Sequence, residues 1–168
     1  MDPSPACRRL RRSRSLIGRA LAVAAAFAFG APAAYAESPA CTCSRVGTDD
    51  TLRTVPASLG PAVNAVFGTR MPPAEAARMT SYRCYRGQVL LCTVGANLPC
   101  GKANVSRRLP RADAWCRENP NADLIPAVAT GHDTIFEWRC AGQKAAVAKQ
   151  TGQVDARGFF KEYWKALR

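Results

Sequence analysis

The cysteine content of this chain constrains its fold more than any other feature. Eight cysteines occur in 168 residues, in a chain that is 21% charged and 48% hydrophobic. This length predicts one domain, and this composition is typical of a folded protein. So many cysteines in so short a chain indicate either a disulfide framework or a metal site, and the choice depends on the compartment in which the protein folds.

The first 36 residues have the organisation of a secretory signal peptide. Residues 1–19 carry six arginines and one aspartate, and residues 20–29 form an uncharged apolar run. Ala34-Tyr35-Ala36 then places small residues before Glu37, and we expect cleavage between Ala36 and Glu37. The protein is therefore expected in the periplasm or secreted, without a membrane span after cleavage. The alternative to cleavage is an uncleaved membrane anchor. The alternative to general export is the twin-arginine route.

Removal of the signal leaves residues 37–168 with seven cysteines and a formal charge of +7, from 18 Lys and Arg against 11 Asp and Glu. The seven candidates for disulfide bonding are Cys41, Cys43, Cys84, Cys92, Cys100, Cys116 and Cys140. An oxidising compartment favours disulfides over a metal site. Because seven is odd, at least one thiol is free, modified or bonded to another chain.

Residues 81–94 predict a β-hairpin. Gly87 is placed to begin a two-residue type II′ turn, and the flanking residues are rich in strand formers. Side chains alternate along a strand, so this register places Cys84 and Cys92 on opposite faces. We therefore expect these two cysteines to bond to different partners.

The remaining segments predict further short elements. Residues 58–68 and 110–119 have helix caps and apolar spacing, residues 124–129 and 134–140 resemble strands, and the last is followed by a Gly142-Gln143 turn and a returning strand. Residues 155–168 carry aromatic side chains at helical spacing. The expected fold is a small disulfide-stabilised α+β domain. It has an antiparallel sheet of two hairpins, short helices and a C-terminal amphipathic helix. Residues 37–57 form an extended lead-in and residues 58–168 the folded core.

The single histidine, His132, excludes any site that needs two imidazoles. The sequence has no C-x-x-C pair and no histidine pair at metal-binding spacing, so we expect neither a metal nor another cofactor. The sequence gives no catalytic residue and favours a protein that is not an enzyme. The alternative is a thiol–disulfide redox protein that uses Cys41 and Cys43, with Arg45 nearby to favour a thiolate.

Basic residues are densest between positions 102 and 117. The candidate binding residues are Arg107, Arg108, Arg111, His132 and Trp164. Outside the cell body nucleic acid is not an expected partner, whereas an envelope protein or an anionic envelope surface is. The odd cysteine adds the option of an intermolecular disulfide. The sequence thus favours an exported, non-catalytic, cysteine-rich protein that binds a ligand or associates with the envelope.

Two resemblances accompany this interpretation. Residues 92–103, 130–135 and 155–159 together resemble an uncharacterised family of small cysteine-rich exported bacterial proteins, over roughly residues 82–167. That resemblance implies no activity. The pattern Tyr82-x-Cys84-x-x-Gly87 resembles the strand motif of periplasmic lysozyme inhibitors, although their C-terminal Ser-Gly-x-x-Tyr element is missing. It implies a further alternative, an inhibitor of a cell-wall hydrolase.

Overall fold

The computed structural model describes Cys7, residues 37–95 and residues 99–168. The predicted signal segment therefore lies, apart from Cys7, outside the described residues. In chain order the elements are α1 (Pro39–Val46), β1 (Arg53–Thr54), a 3₁₀ turn (Ala57–Leu59), α2 (Gly60–Phe67), α3 (Pro73–Arg78), β2 (Thr80–Tyr85), β3 (Gln88–Thr93), α4 (Pro110–Glu118), α5 (Ala127–Thr130), β4 (Phe136–Ala141), β5 (Lys144–Gln150) and β6 (Lys165–Ala166). This arrangement confirms the predicted disulfide-stabilised α+β class. Within the described residues no helix is long and apolar enough to cross a membrane.

The first hairpin is present, but its turn differs from the prediction. Tyr85 pairs with Gln88, so Arg86 and Gly87 form the loop. Their φ angles are 53° and 77°, as in a type I′ turn rather than the predicted type II′ turn. Contacts with the preceding segment hold the loop in place: the Arg86 N–H donates to Thr48 Oγ1 at 2.8 Å, and the Gly87 N–H donates to the Gly47 carbonyl at 2.7 Å.

The two hairpins lie in different sheets, and the prediction of one shared sheet was wrong. The first sheet has the order β1-β2-β3-β6, and the second contains only β4 and β5. Both edges of the β2–β3 hairpin are occupied, one by β1 and the other by β6. Hence β4 has no edge of the first hairpin with which to pair. The second hairpin turns at Gly142-Gln143 as expected.

The segment predicted as an extended lead-in contains helix α1. The Ser38 hydroxyl caps the helix by accepting from the Cys41 N–H at 3.3 Å, Pro39 occupies the first turn, and Gly47 follows the last. Ser38 followed by Pro39 is a signal for the start of a helix, and Gly47 is a signal for its end. These signals outweigh the weak apolar periodicity of the segment. Cys43 on this helix is fully buried in the core.

The predicted C-terminal amphipathic helix is absent. Residues 155–168 form turns and the short strand β6, and Gly158 has a φ of 85° that interrupts any helix. The aromatic side chains of this segment divide between two apolar clusters, with Phe159 in one and Phe160 in the other. A helix would place them along a single face, so the spacing alone predicted the wrong element.

Helices α2 and α4 match their predictions closely. The strand predicted for residues 124–129 is wrong, because Pro126 instead precedes the short helix α5. Ile125 keeps one strand-like feature, since its N–H donates to the Trp138 carbonyl at 2.8 Å. Proline is common at the start of a helix because its backbone conformation is fixed. The apolar run of residues 124–129 suggested a strand instead, so this helix was not predicted.

Three apolar clusters make up the described core. One lies between the β2–β3 hairpin and helices α1–α3, and a second lies between the β4–β5 hairpin and helices α4 and α5. The third contains Cys92, Cys100, Phe159 and Trp164. Because the C-terminal segment contributes to all three clusters, it joins the two sheets into one structure.

Candidate functional site

The described residues contain four disulfide bonds. The pairs are Cys7–Cys41, Cys43–Cys84, Cys92–Cys100 and Cys116–Cys140. Cys84 and Cys92 have different partners, which confirms the expectation from the hairpin. No free cysteine occurs among the described residues.

The disulfides separate the two cysteines of the Cys41-Thr42-Cys43 segment. Side chains two residues apart on a helix point to nearly opposite sides. Cys43 on α1 packs in the first apolar cluster, and Cys41 does not belong to that cluster. Cys43 is fully buried in its bond to Cys84, whereas Cys41 is bonded to Cys7. In this arrangement the two sulfur atoms do not face each other as a dithiol.

The predicted binding arginines lie on one exposed region, formed by the loop before α4, by α4 itself and by α5. Hydrogen bonds join these segments: the Arg111 guanidinium donates to the Val128 carbonyl at 3.2 Å, and the Asn104 N–H donates to the Asp133 carbonyl at 2.6 Å. Two large apolar side chains are exposed in the same region, Val105 at 54% and Val128 at 75%. We call Val105, Arg107, Arg108, Arg111 and Val128 the arginine–valine surface.

The arginines of this surface carry uncompensated charge. In the part of the chain that the structure describes, no carboxylate oxygen lies within 4.0 Å of the guanidinium nitrogens of Arg107, Arg108 or Arg111. Arg107 instead lies over the Phe136 ring, 5.1 Å from its centroid. An aromatic ring leaves most of the positive charge of a cation unneutralised, so this surface presents positive potential to solvent.

Several cations elsewhere are paired with carboxylates, among them Lys102, Lys144 and Arg157. Asp50 binds Lys102 at 2.7 Å and Arg157 at 2.8 Å. Hydrogen bonds from Arg157 and then Lys102 lower the pKa of Asp50 to about 2. Asp113 accepts the Ala145 N–H at 2.9 Å and lies 3.8 Å from the Lys144 ammonium group.

The structure places the other two predicted binding residues differently. His132 is exposed in the loop that follows α5, next to Asp133, which borders the arginine–valine surface. Trp164 is only 7% exposed, and its ring packs edge-on against Phe159 with centroids 5.6 Å apart. Trp164 therefore belongs to the core.

The burial of Arg83 was not predicted from the sequence. Arg83 is 1% exposed, its guanidinium makes an ion pair with Asp155, and its Nε and Nη1 atoms have no hydrogen-bond partner among the described residues. Its guanidinium carbon lies 4.2 Å from the Phe159 ring centroid and 4.7 Å from that of Trp164. Because side chains alternate along a strand, Arg83 lies on the opposite face of β2 from Tyr82. This alternation is a signal that composition alone does not contain.

An apolar groove of about 530 Å³ runs between the end of α2 and the C-terminal segment. Its apolar lining includes Phe67, Met71, Met79 and Val94, and Lys165 lies at the same groove with its ammonium group 5.2 Å from the Phe67 ring centroid. This volume is within the range of small-molecule sites. The groove could not be predicted from the sequence, because its lining comes from segments far apart in the chain.

The described residues contain no group of three His, Cys, Asp or Glu side chains able to hold a metal ion. Comparisons with protein families, with curated proteins and with solved structures found no match for this chain.

Proposed function

We propose that this protein is an exported, non-catalytic module that binds anionic lipid headgroups of the cell envelope through its arginine–valine surface. The observation that carries the proposal is the set of three arginines without a carboxylate partner among the described residues, beside two exposed valines. Binding to an anionic lipid surface needs two kinds of side chain. Cations attract the lipid phosphates, and apolar side chains enter the membrane interface.

The expected strength of binding follows from the charges. A Lys or Arg near an anionic membrane contributes about 1 kcal/mol, so Arg107, Arg108 and Arg111 together contribute about 3 kcal/mol, or roughly 100-fold in affinity. The attraction is screened over about 10 Å at 0.1 M salt, and binding should weaken as salt concentration rises.

Sedimentation with lipid vesicles tests the proposal. The exported protein is expected to bind vesicles that contain phosphatidylglycerol and not vesicles of phosphatidylcholine alone. The triple variant R107Q/R108Q/R111Q should lose roughly 100-fold in affinity. The control variant R139Q/K144Q/K149Q removes the same charge from the exposed second hairpin and should change affinity less than about threefold. Equal losses in both variants would show that only net charge matters and would refute the assignment of this surface.

Export itself is supported by the disulfides together with the predicted signal. Six cysteines between residues 43 and 140 form three bonds, and such bonds persist in oxidising compartments. Fractionation of the producing cells, followed by N-terminal sequencing, should find the protein outside the cytoplasm with Glu37 as its first residue. A cytoplasmic protein that begins at residue 1 would contradict export.

The apolar groove supports a second candidate function, the binding of a small apolar ligand. An environment-sensitive dye such as 1-anilinonaphthalene-8-sulfonate should bind with enhanced fluorescence. Val94→Glu adds a charge at a groove residue that is 49% exposed, and should weaken dye binding about tenfold. Val105→Glu makes the same change at a position that does not line the groove and should leave dye binding unchanged. Equal effects would exclude the groove as the dye site.

The redox and inhibitor functions are further proposals, with less support. The redox protein would require Cys41 and Cys43 to act together, and Cys43 is buried in its bond to Cys84. The inhibitor motif contributes to the fold, since Tyr82 and Cys84 are core residues and Gly87 forms the turn. Failure of micromolar protein to protect cell wall from lysozyme would exclude the inhibitor.

A further inference from the structure

The disulfide pattern identifies which cysteine is left over when the predicted signal is removed. Three bonds use six of the seven cysteines of residues 37–168, and the seventh, Cys41, is bonded to Cys7. Cys7 lies within the segment expected to be cleaved. We propose that in the exported protein Cys41 forms a disulfide bond with Cys41 of a second copy of this chain.

The other six cysteines are not available for such a bond. Cys43, Cys84, Cys92 and Cys116 have no exposed surface, and Cys140 is 3% exposed. Cys100, at 7%, is bonded to Cys92 across only eight residues. Exchange at any of these would require opening of the core, which is much slower than reaction at an accessible thiol.

Cys41 differs because the structure already joins it to a sulfur from outside residues 37–168. The Cys7–Cys41 bond has a Cα–Cα distance of 5.5 Å, which is ordinary for a disulfide. A cysteine that does not belong to residues 37–168 can therefore reach this sulfur while the three other bonds remain intact. Cys41 is 8% exposed while it is bonded to Cys7.

The surroundings of Cys41 favour a second copy as the partner. Glu37 lies four residues before Cys41 and Arg45 four residues after it, and their side chains meet at 2.8 Å. A twofold contact brings the same patch together from both copies, so the patch must complement itself. An acid and a base on either side of the bonding cysteine meet this condition, because each can face the opposite charge of the other copy.

The bond can form by two thiol–disulfide exchanges with a disulfide oxidant of the export compartment. The Cys41 thiolate of one copy attacks the oxidant disulfide, forms a mixed disulfide and releases one oxidant thiolate. The Cys41 thiolate of the second copy then attacks the Cys41 sulfur of that mixed disulfide and releases the second oxidant thiolate. Two protons leave the two thiols, one oxidant disulfide is reduced, and one Cys41–Cys41 bond is formed.

Intact mass spectrometry and non-reducing electrophoresis of the protein exported from its full-length precursor test this inference. The expected result is a disulfide-linked dimer of chains that begin at Glu37, which becomes monomeric on reduction. Cys41→Ser should abolish the dimer while the circular dichroism spectrum stays unchanged. Arg45→Glu places two acids beside the bond in each copy and should reduce the dimer fraction at least threefold.

The double variant C41S/S44C is the matched control, since it moves the thiol to an exposed position on the same helix. If the surroundings of Cys41 direct the bond, this variant forms less dimer than the natural sequence. Equal or greater dimerisation would show unspecific pairing of exposed thiols and would overturn the proposal. A monomer with an alkylatable Cys41, a Cys41 bonded to a small thiol, or a chain that retains the Cys7–Cys41 bond would each overturn it as well.

Discussion

Arg83 and Asp155 form a buried ion pair between residues 72 positions apart in the chain. The pair joins strand β2 to the C-terminal segment, and the rings of Phe159 and Trp164 lie close to the guanidinium. Burial raises the pKa of Asp155, but hydrogen bonds from the Phe159 and Arg157 N–H groups and from Arg83 outweigh it, so the pKa lies below its ordinary value. The carboxylate therefore stays charged and holds the arginine in place.

Replacement of Arg83 should destabilise the protein strongly. Arg83→Met leaves Asp155 partly buried without its cation, and breaking a buried pair lowers the free energy of unfolding by about 3 kcal/mol or more. Arg83→Lys should also be destabilising, because a lysine lacks the planar group that stacks on aromatic rings. Urea denaturation measures both effects. Arg139→Met, at an exposed strand position, is the control and should change stability by less than about 0.5 kcal/mol; equal effects at positions 83 and 139 would contradict the buried-pair assignment.

Acid should destabilise the protein through Asp50. The folded-state pKa of Asp50 is about 2, below its ordinary value of 3.8, because Arg157 and Lys102 donate to the charged carboxylate. A depressed pKa contributes stability above the ordinary value, and that contribution is lost as the pH falls from about 4 to about 2. Thermal unfolding midpoints measured across this range should fall less in Asp50→Asn than in the natural sequence. Asp123→Asn, at an exposed position, should follow the natural profile, and an unchanged profile in Asp50→Asn would exclude this source of acid sensitivity.

The three disulfides within residues 37–168 should stabilise the protein to different extents. In the chain-entropy description a bond across 41 residues contributes about 4 kcal/mol and one across eight residues about 2.5 kcal/mol. The variant C43A/C84A should therefore unfold at a lower urea concentration than C92A/C100A. The reverse order would show that packing around Cys92 and Cys100 outweighs the entropy of the unfolded chain.

Gly60 should be intolerant of any side chain. A Cβ atom at this position would lie 1.9 Å from the Pro73 carbonyl oxygen, because the start of α2 meets the start of α3. The Pro73 carbonyl is a backbone group and the Cβ atom is attached directly to the backbone, so rotation of a side chain cannot relieve the clash. Gly60→Ala should therefore lower the free energy of unfolding by about 3 kcal/mol. Gly101→Ala is the matched control, since nothing lies within 4 Å of its Cβ. Comparable urea midpoints for the two variants would contradict the close approach of α2 and α3.

Local signals predicted much of the fold and little of its assembly. Gly68 and Pro61 identify helix α2, and the alternation around Cys84 and Cys92 correctly separates their disulfide partners. The pairing of hairpins into sheets could not be predicted, because it depends on which strand covers each edge. β6 has only two residues, and a strand so short leaves no periodicity to detect.

The C-terminal segment shows why aromatic spacing alone was misleading. Phe159 and Trp164 surround Arg83, whereas Phe160 packs with the second sheet. These partners lie far away in sequence, so no local window contains them. For the candidate site, the sequence predicted the three arginines. Their lack of a carboxylate partner within the described part of the chain and the exposure of Val128 follow only from tertiary structure.

The position of the segment that joins the two sheets has a consequence for proteolysis. Asp155, Phe159, Phe160 and β6 all lie within residues 155–168. A single cut just before Asp155 would free the carboxylate that pairs with the buried Arg83 and would loosen side chains in all three apolar clusters. Protease resistance of this short stretch therefore reports on the integrity of both sheets at once.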